Sequence, residues 1–430
     1  MKLRELHPRE AISKTMHRIY TFGMTTTSGG NISVRDDDGT IRITPSAIDK
    51  GSLRPEHIAT VNPDGTVEGP YPPSSELPFH QAIYRARPDM KAIIHAHSPA
   101  LVAFSIVRKV PDTTIIPQAH QLCGAVGYAA YELPGSEELG AKIAGGFAGG
   151  ATSVIMENHG TVVAGADLSE CFQRFETLEF TARIEIEAVA IGEPRGLSAE
   201  QLSLMREAPP TLPERRNHHP ATDELELRGR LIEMVHRAYV QRLIISTYGT
   251  FSARLGDNSF LITPYGEDRY LLDRRDLVHV NDEGQEAGKR PSRSVRLHQR
   301  IYREHPDINA VITAQPPNAT AYAVTGTTID TRTIPESYIL LRDMPILPFG
   351  DQLRDGAETS AALSRERPIL LLGNDSLLVT GKNVDQTFDR LEVLEFSARS
   401  LNQSRQLGEM VPIGEEEIDK LKGKFFGENG

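Results

Sequence analysis

Apolar and polar residues alternate along this chain with two different periods. The stretches "GTIRITPS" (39–46), "KAIIHAH" (91–97), "TSVIMEN" (152–158) and "GTVVAG" (160–165) are short, rich in β-branched residues and bounded by turn residues. That pattern predicts strands. The stretches "HPREAISKTMHRIYTFGM" (7–24) and "SELPFHQAIYRARPD" (75–89) carry apolar residues at helical spacing. The mixture predicts an α/β domain in which helices cover a central sheet.

The same pattern then occurs a second time. "FHQAIYRARPDMKAII" (79–94) returns as "LHQRIYREHPDINAVI" (297–312), and "FQRFETLEFTAR" (172–183) returns as "FDRLEVLEFSAR" (388–399). "TVNPDGTVEG" (60–69) is matched by "HVNDEGQEAG" (279–288), and "IRITPSA" (41–47) by "FLITPYG" (260–266). The spacing between partners is nearly constant, so whole domains of about 190 residues are repeated in order. The expected division is a first domain over 1–206, a linker over 207–226, a second domain over 227–410 and a tail over 411–430. The linker is rich in proline and charge, and His218 and His219 within it are read as solvated.

Composition narrows the function. Hydrophobic residues make up 39%, enough for ordinary cores, and the formal charge of −11 argues against general affinity for nucleic acid or anionic membrane. No apolar run is long enough to span a bilayer. Cys123 and Cys171 are the only cysteines, which excludes a disulfide framework and fits a reducing cytoplasm.

The two repeats differ at a small set of chemically capable positions. His95 falls opposite Thr313, His97 opposite Gln315, His159 opposite Asp375 and Glu76 opposite Ser294, whereas His80 and His298 are shared. A histidine kept for packing should follow the framework, as His80 does. The joint loss of the other three with Glu76 points to a functional set in the first repeat alone. In a strand, residues two apart face the same side, so His95 and His97 can present nitrogens to one point. His159 lies in a turn from which it can join them. Three neutral imidazoles suit a catalytic divalent ion with an open coordination position. Glu76 is then a base, or a ligand that substrate displaces. In "PSSELPFH" the expected helix N-cap is Ser74 or Ser75, a position that favours an anion. Arg293, opposite Ser75, is expected to fill the corresponding place in the second repeat without a ligand role.

In this order and spacing, "SGGNIS", "ITPS", "PSSELPFH", "IIHAHSP" and "ENHGTVV" resemble the class II aldolase/adducin family, which includes sugar-phosphate aldolases, a sugar-phosphate epimerase and sugar-acid decarboxylases. The resemblance covers the first repeat; the second resembles the same fold with its catalytic motifs erased. It implies two tandem three-layer α/β domains, each with a central, mainly antiparallel sheet flanked by helices. It implies that His95, His97 and His159 bind the metal, zinc or alternatively manganese, and that Glu76 is the acid/base. It further implies that Asn31, Thr44, Ser74 and Ser75 bind a substrate phosphate. Ala47 departs from the glycine of the phosphate-binding pattern. The aldolases use a tyrosine in the segment that here reads "IIPQAHQLCG"; His120 stands there, while Tyr338 occurs in the matching segment of the second repeat.

The chemistry so implied is C–C bond cleavage next to a carbonyl in a sugar phosphate or related small molecule, through an enediolate. Decarboxylation, dehydration and epimerisation use the same apparatus. An adducin-like binding protein is the non-enzymatic alternative, and it should lack the metal set in both repeats. Family members with one repeat form four-fold tetramers, so two repeats predict a homodimer acting as a four-domain pseudo-tetramer, with Tyr338 a candidate to reach a neighbouring site.

Overall fold

A computed structural model describes residues 2–216, 218–256 and 258–426. The chain divides into two compact units: 1–114 with 118–183, and 184–430 with 115–117.

The first unit contains eight strands: β1 (Asn31–Arg35), β2 (Ile41–Ile43), β3 (Ala59–Val61), β4 (Val67–Glu68), β5 (Ala92–Ala96), β6 (Gly127–Ala129), β7 (Ser153–Met156) and β8 (Gly160–Gly165). They form one sheet in the order β4-β3-β2-β1-β5-β8-β7-β6. Every pairing is antiparallel except β6 with β7. Strand alternation divides the core. Ile94 joins Ile12, Met16, Phe172 and Phe175 on one face, beneath helices Pro8–Thr21 and Leu168–Ile191. Its neighbour Ile93 joins Phe79, Ile83, Leu139 and Ile143 on the other, beneath helices Leu77–Ala86 and Glu137–Ala148. The three layers follow from this period of two, because each face of the sheet needs its own helical cover.

The second unit contains β9 (Glu214–Arg215), β10 (Thr250–Arg254), β11 (Phe260–Ile262), β12 (Val278–Asn281), β13 (Gly284–Glu286), β14 (Ala310–Ala314), β15 (Ile346–Leu347), β16 (Ile369–Leu372) and β17 (Ser376–Gly381). Their order is β15-β16-β17-β14-β10-β11-β12-β13-β9. Apart from β9, this is the order of the first sheet, strand for strand. The register is also kept: Asn31 lies opposite His95, and Thr250 opposite Thr313.

The stretch expected to link the two domains carries structure of its own. Residues 207–226 are not a free linker. β9 pairs in parallel with β13, Gln285 N–H donates to Pro213 O at 2.9 Å, and Leu212 is buried in the core with Phe260 and Val280. The following helix, Thr222–Val240, already starts inside that span. A two-residue strand has no hydrophobic period to betray it. Within the expected tail a helix runs over Glu415–Phe425. No helix of the described residues is long and apolar enough to cross a membrane.

Candidate metal centre

His95 lies in the middle of the first sheet, paired with Asn31 on β1 and Val162 on β8, and is fully buried. His97 follows one residue beyond the end of β5. His159 comes from the tight turn between β7 and β8, where Asn158 adopts φ 53°. Asparagine tolerates that left-handed conformation, and Asn374 repeats it with φ 57° in the second unit. The three imidazole centroids form a near-equilateral triangle with sides of 4.7, 4.9 and 5.0 Å. One nitrogen from each ring lies within 4.8 Å of the others.

Glycines permit this approach. A Cβ on Gly160 would meet Ala96 O at 2.7 Å and His97 Cδ2 at 2.9 Å. On Gly30, whose φ is +73°, it would meet His95 O at 2.6 Å. The glycines of the "SGGNIS" and "ENHG" stretches therefore leave room for the histidine strand.

The protonation pattern suits a cation. His95 Nδ1 lies 2.9 Å from Thr161 O, which can only accept, so Nδ1 carries the proton and Nε2 presents its lone pair. That Nε2 faces His97 Nε2 at 2.9 Å. Burial pushes His95 down to about 3, with added repulsion from His159, and pushes His97 down to about 4. Burial lowers His159 as well, against the opposing charge of Glu76. All three rings are thus neutral donors near pH 7. Glu76 approaches His95 Nε2 at 3.3 Å and His159 Nε2 at 3.5 Å, and its Oε1 is buried without a hydrogen-bond partner among the described residues. Converging lone pairs beside an unsatisfied carboxylate oxygen fit a divalent ion.

A hydrogen-bond chain aims Glu76. Asn31 Nδ2 donates to Glu76 Oε2 at 2.7 Å, and Asn31 Oδ1 faces His80 Nε2 at 2.5 Å. His80 Nδ1 in turn meets Ser33 Oγ at 2.7 Å. His80, expected as framework, therefore orients the amide that holds the carboxylate. Asn31, expected at a phosphate, gives one donor to Glu76. Sequence reasoning also missed Lys50. Its side chain is 3% exposed, its Nζ donates to Pro45 O at 2.9 Å, and burial lowers its pKa while Glu76 opposes the shift.

The remaining expected site residues are distributed unevenly. The N-cap of helix Leu77–Ala86 is Glu76 itself, not Ser74 or Ser75. Ser74 Oγ instead accepts from Glu76 N–H at 3.3 Å, and Leu77 N–H bonds to Ser74 O, so a turn precedes the helix and delays its start. Ser75 is exposed, and buried Thr44 Oγ1 accepts from Ile32 N–H at 3.2 Å. Ala47 has φ 53° where the second unit has Gly266 with φ 70°. His120 lies on helix Pro117–Cys123 with its Nδ1 buried and unpaired among the described residues. Tyr338 lies in the second unit, its ring 6.0 Å from that of Phe426.

In the second unit the counterparts make ordinary structure. Gln315 Nε2 donates to Asp375 O at 2.6 Å, and Arg293 donates to Glu207 O and Met205 O at 2.9 and 3.2 Å. His298 keeps its contact to Ser252 Oγ, but its Nε2 has lost the amide acceptor and is unpaired among the described residues. A second group of possible ligands, His218, Glu224 and His279, lies within this unit. His218 is not solvated: its ring stacks on His279 at 4.2 Å and its Nε2 meets Glu224 at 2.9 Å. Arg215 donates to His279 Nδ1 at 2.6 Å and Arg228 binds Glu224 Oε1 at 2.6 Å, so one atom of each of these two residues is already held by a guanidinium group.

The family model described as class II aldolase and adducin N-terminal domain matches residues 10–186 and again 229–401. The 3-oxo-tetronate 4-phosphate decarboxylase of Haemophilus influenzae is 32% identical over 184 residues, spanning 42% of this chain and 87% of that protein. The 5-deoxy-D-ribulose 1-phosphate aldolase of Bacillus thuringiensis is 32% identical over 198 residues, spanning 45% and 91%. Among solved structures, YgbL from Escherichia coli is 29% identical with a TM-score of 0.43, spanning 46% of this chain and 97% of its own. The model's two matches cover both repeats, and the chain belongs to the class II aldolase/adducin family.

Proposed function

We propose that the first unit is a divalent-metal-dependent lyase that breaks a C–C bond beside a carbonyl in a phosphorylated sugar or sugar acid. The observation that carries this reading is the carboxylate of Glu76 held against three converging neutral imidazoles. His95, His97 and His159 would hold the ion, zinc or alternatively manganese. Such an ion supplies Lewis acidity, drawing electron density onto a substrate oxygen as the neighbouring bond breaks. The chain's own groups do the rest. Asn31 occupies Glu76 Oε2, which leaves Oε1 to take or return a proton. His80 fixes the Asn31 amide so that its donor, and not its acceptor, meets the carboxylate. Ser74 and Ser75 beside Glu76, with Thr44 close in the same loop region, are candidates to hold the substrate's remote anion, whose binding energy steadies the reacting end.

Decarboxylation is the second reading. His120 and Gln121 stand where the aldolases use a tyrosine, and the matched Haemophilus influenzae relative is a decarboxylase of a 4-phosphate. Both readings are tested by metal analysis of purified chain, followed by a screen of sugar-acid phosphates and ketose phosphates with zinc or manganese. Release of carbon dioxide selects decarboxylation; release of an aldehyde selects aldol cleavage. Protein that takes up no stoichiometric metal and turns over neither class would overturn both.

A further inference from the structure

Helix Pro117–Cys123 of the first repeat and helix Pro335–Leu341 of the second are equivalent, and they end differently. The residue after the first is Gly124, with φ +59°. The residue after the second is Arg342, with φ 58° and ψ −137°. That backbone region is nearly reserved for glycine, so a side chain there is held under strain. Strain of this kind is kept where the rest of the structure, or a ligand, requires the side chain.

The arginine that faces this helix end has changed partners as well. In the first unit Arg174 is satisfied on three sides: Nε to Leu122 O at 3.0 Å, Nη1 to Ala164 O at 2.7 Å and Nη2 to Glu170 Oε1 at 2.7 Å. Its counterpart Arg390 keeps one of these, Nη1 to Thr380 O at 2.5 Å. Gln386 replaces Glu170. It still accepts the helix-start N–H of Lys382, as Glu170 does that of Ala166, but it brings no charge. Arg390 Nε is buried and unpaired among the described residues, and so is Arg342 Nε. Burial lowers Arg390 to about 10, and the positive charge of Arg342 adds to the shift, with only its exposed neighbour Asp389 opposing. One carboxylate has been lost and one guanidinium gained at the same point.

Arg342 lines a cavity of about 820 Å³ together with Tyr338, Met344, Arg365, Phe425 and Phe426. Its guanidinium stacks on the Phe426 ring at 4.2 Å, which uses its face and leaves its in-plane N–H groups for an acceptor. Two acids of the wall have arginine partners of their own, Asp330 with Arg332 at 3.3 Å and Asp343 with Arg367 at 3.1 Å; Glu366 accepts from Ser364 at 3.2 Å and is the one wall carboxylate whose charge also reaches Arg342. We propose that this cavity binds a small molecule bearing a phosphate or carboxylate group, with Arg342 as the direct contact, Arg390 as supporting charge and Tyr338 against the ligand's body. The residues that line the cavity all lie within the second unit.

Calorimetric titration of the full chain with inorganic phosphate, and separately with acetate, tests this. Arg342→Gly installs the residue that the first unit uses at the same backbone angle, so it relieves strain and should not endanger folding. It is expected to weaken phosphate binding about tenfold or more, the usual effect of losing a charged hydrogen-bond partner. Gln386→Glu, which returns a carboxylate to Arg390, should weaken it by a smaller factor. The Arg342-dependent binding should survive His95→Ala, which breaks the first unit's centre. A parallel loss with acetate assigns carboxylates to the site too; a loss with phosphate alone assigns phosphate esters. Equal phosphate affinity in the parent chain and Arg342→Gly, or no saturable binding in the parent chain, overturns the proposal.

Discussion

Ser294 Oγ donates to Thr250 Oγ1 at 3.3 Å in the second unit, at the positions where Glu76 and Asn31 meet at 2.7 Å in the first. The pairing geometry has outlasted its chemistry: two hydroxyls now occupy the place of a carboxylate and the amide that aims it.

Glu76→Gln should therefore leave the metal bound and lower turnover about a hundredfold or more, since proton transfer is lost while the imidazoles remain. Asn31→Ala should also keep the metal and cost about tenfold in kcat with little change in KM, because it only releases the carboxylate from its aim. His95→Ala should remove the metal itself. Metal content measured beside steady-state kinetics separates the three. Loss of metal in Glu76→Gln would make that residue a ligand and not the base.

Ala47 is the first unit's departure from glycine at a left-handed position. Ala47→Gly should stabilise the chain by about 0.5–1 kcal/mol, the relief of a Cβ clash less the extra freedom glycine has when unfolded. Urea midpoints of the two proteins decide it. A lower midpoint for the glycine variant would mean that the Ala47 methyl makes contacts worth more than the strain.

Stability should fall in mild acid. Burial pushes His298 down to about 3, whereas an unfolded histidine titrates near 6.5. Between those values the unfolded chain binds a proton that the folded chain does not, so stability is full above the unfolded pKa and is lost as pH falls toward the folded one. Each such histidine contributes a slope of about 1.4 kcal/mol per pH unit within that window. His298→Gln should reduce the slope by about that amount, read from urea unfolding at several pH values. An unchanged slope would mean that His298 is already protonated in the fold.

The two repeats are expected to assemble as a homodimer with four domains. Light scattering should give about two chains per particle. A monodisperse and fully active monomer would refute this, and unchanged turnover in Tyr338→Phe would remove that phenol from the reaction.

Much of this was legible in the sequence because two copies were present to compare. The shared apolar frame marked corresponding strands and helices in both copies, and the positions at which the copies disagree, His95, His97, His159 and Glu76, are those the structure gathers in one unit. The connections between side chains were not legible. Nothing in the spacing of Ser33, Asn31, His80 and Glu76 says that they form a single chain of hydrogen bonds, because the contacts cross from strand to helix. Ser74 and Ser75 have the composition of an N-cap, but the turn that Ser74 makes with Glu76 and Leu77 shifts the helix onward. His218 read as solvated because its partner His279 lies far along the chain. Arg342 was invisible for a different reason: its significance lies in a backbone angle, which only the pairing with Gly124 exposes.

The strand Glu214–Arg215 also bears on how the protein can be dissected. A cloning boundary placed within 207–226 looks safe on composition, yet a fragment starting after Arg215 would strip β13 of its outer neighbour and remove Leu212 from the core. The bare edge would then offer unpaired N–H and C=O groups to other copies, an invitation to aggregate. A soluble version of the second repeat has to begin upstream of Leu212, and failure of shorter versions would report a missing strand and not an inability of the repeat to fold.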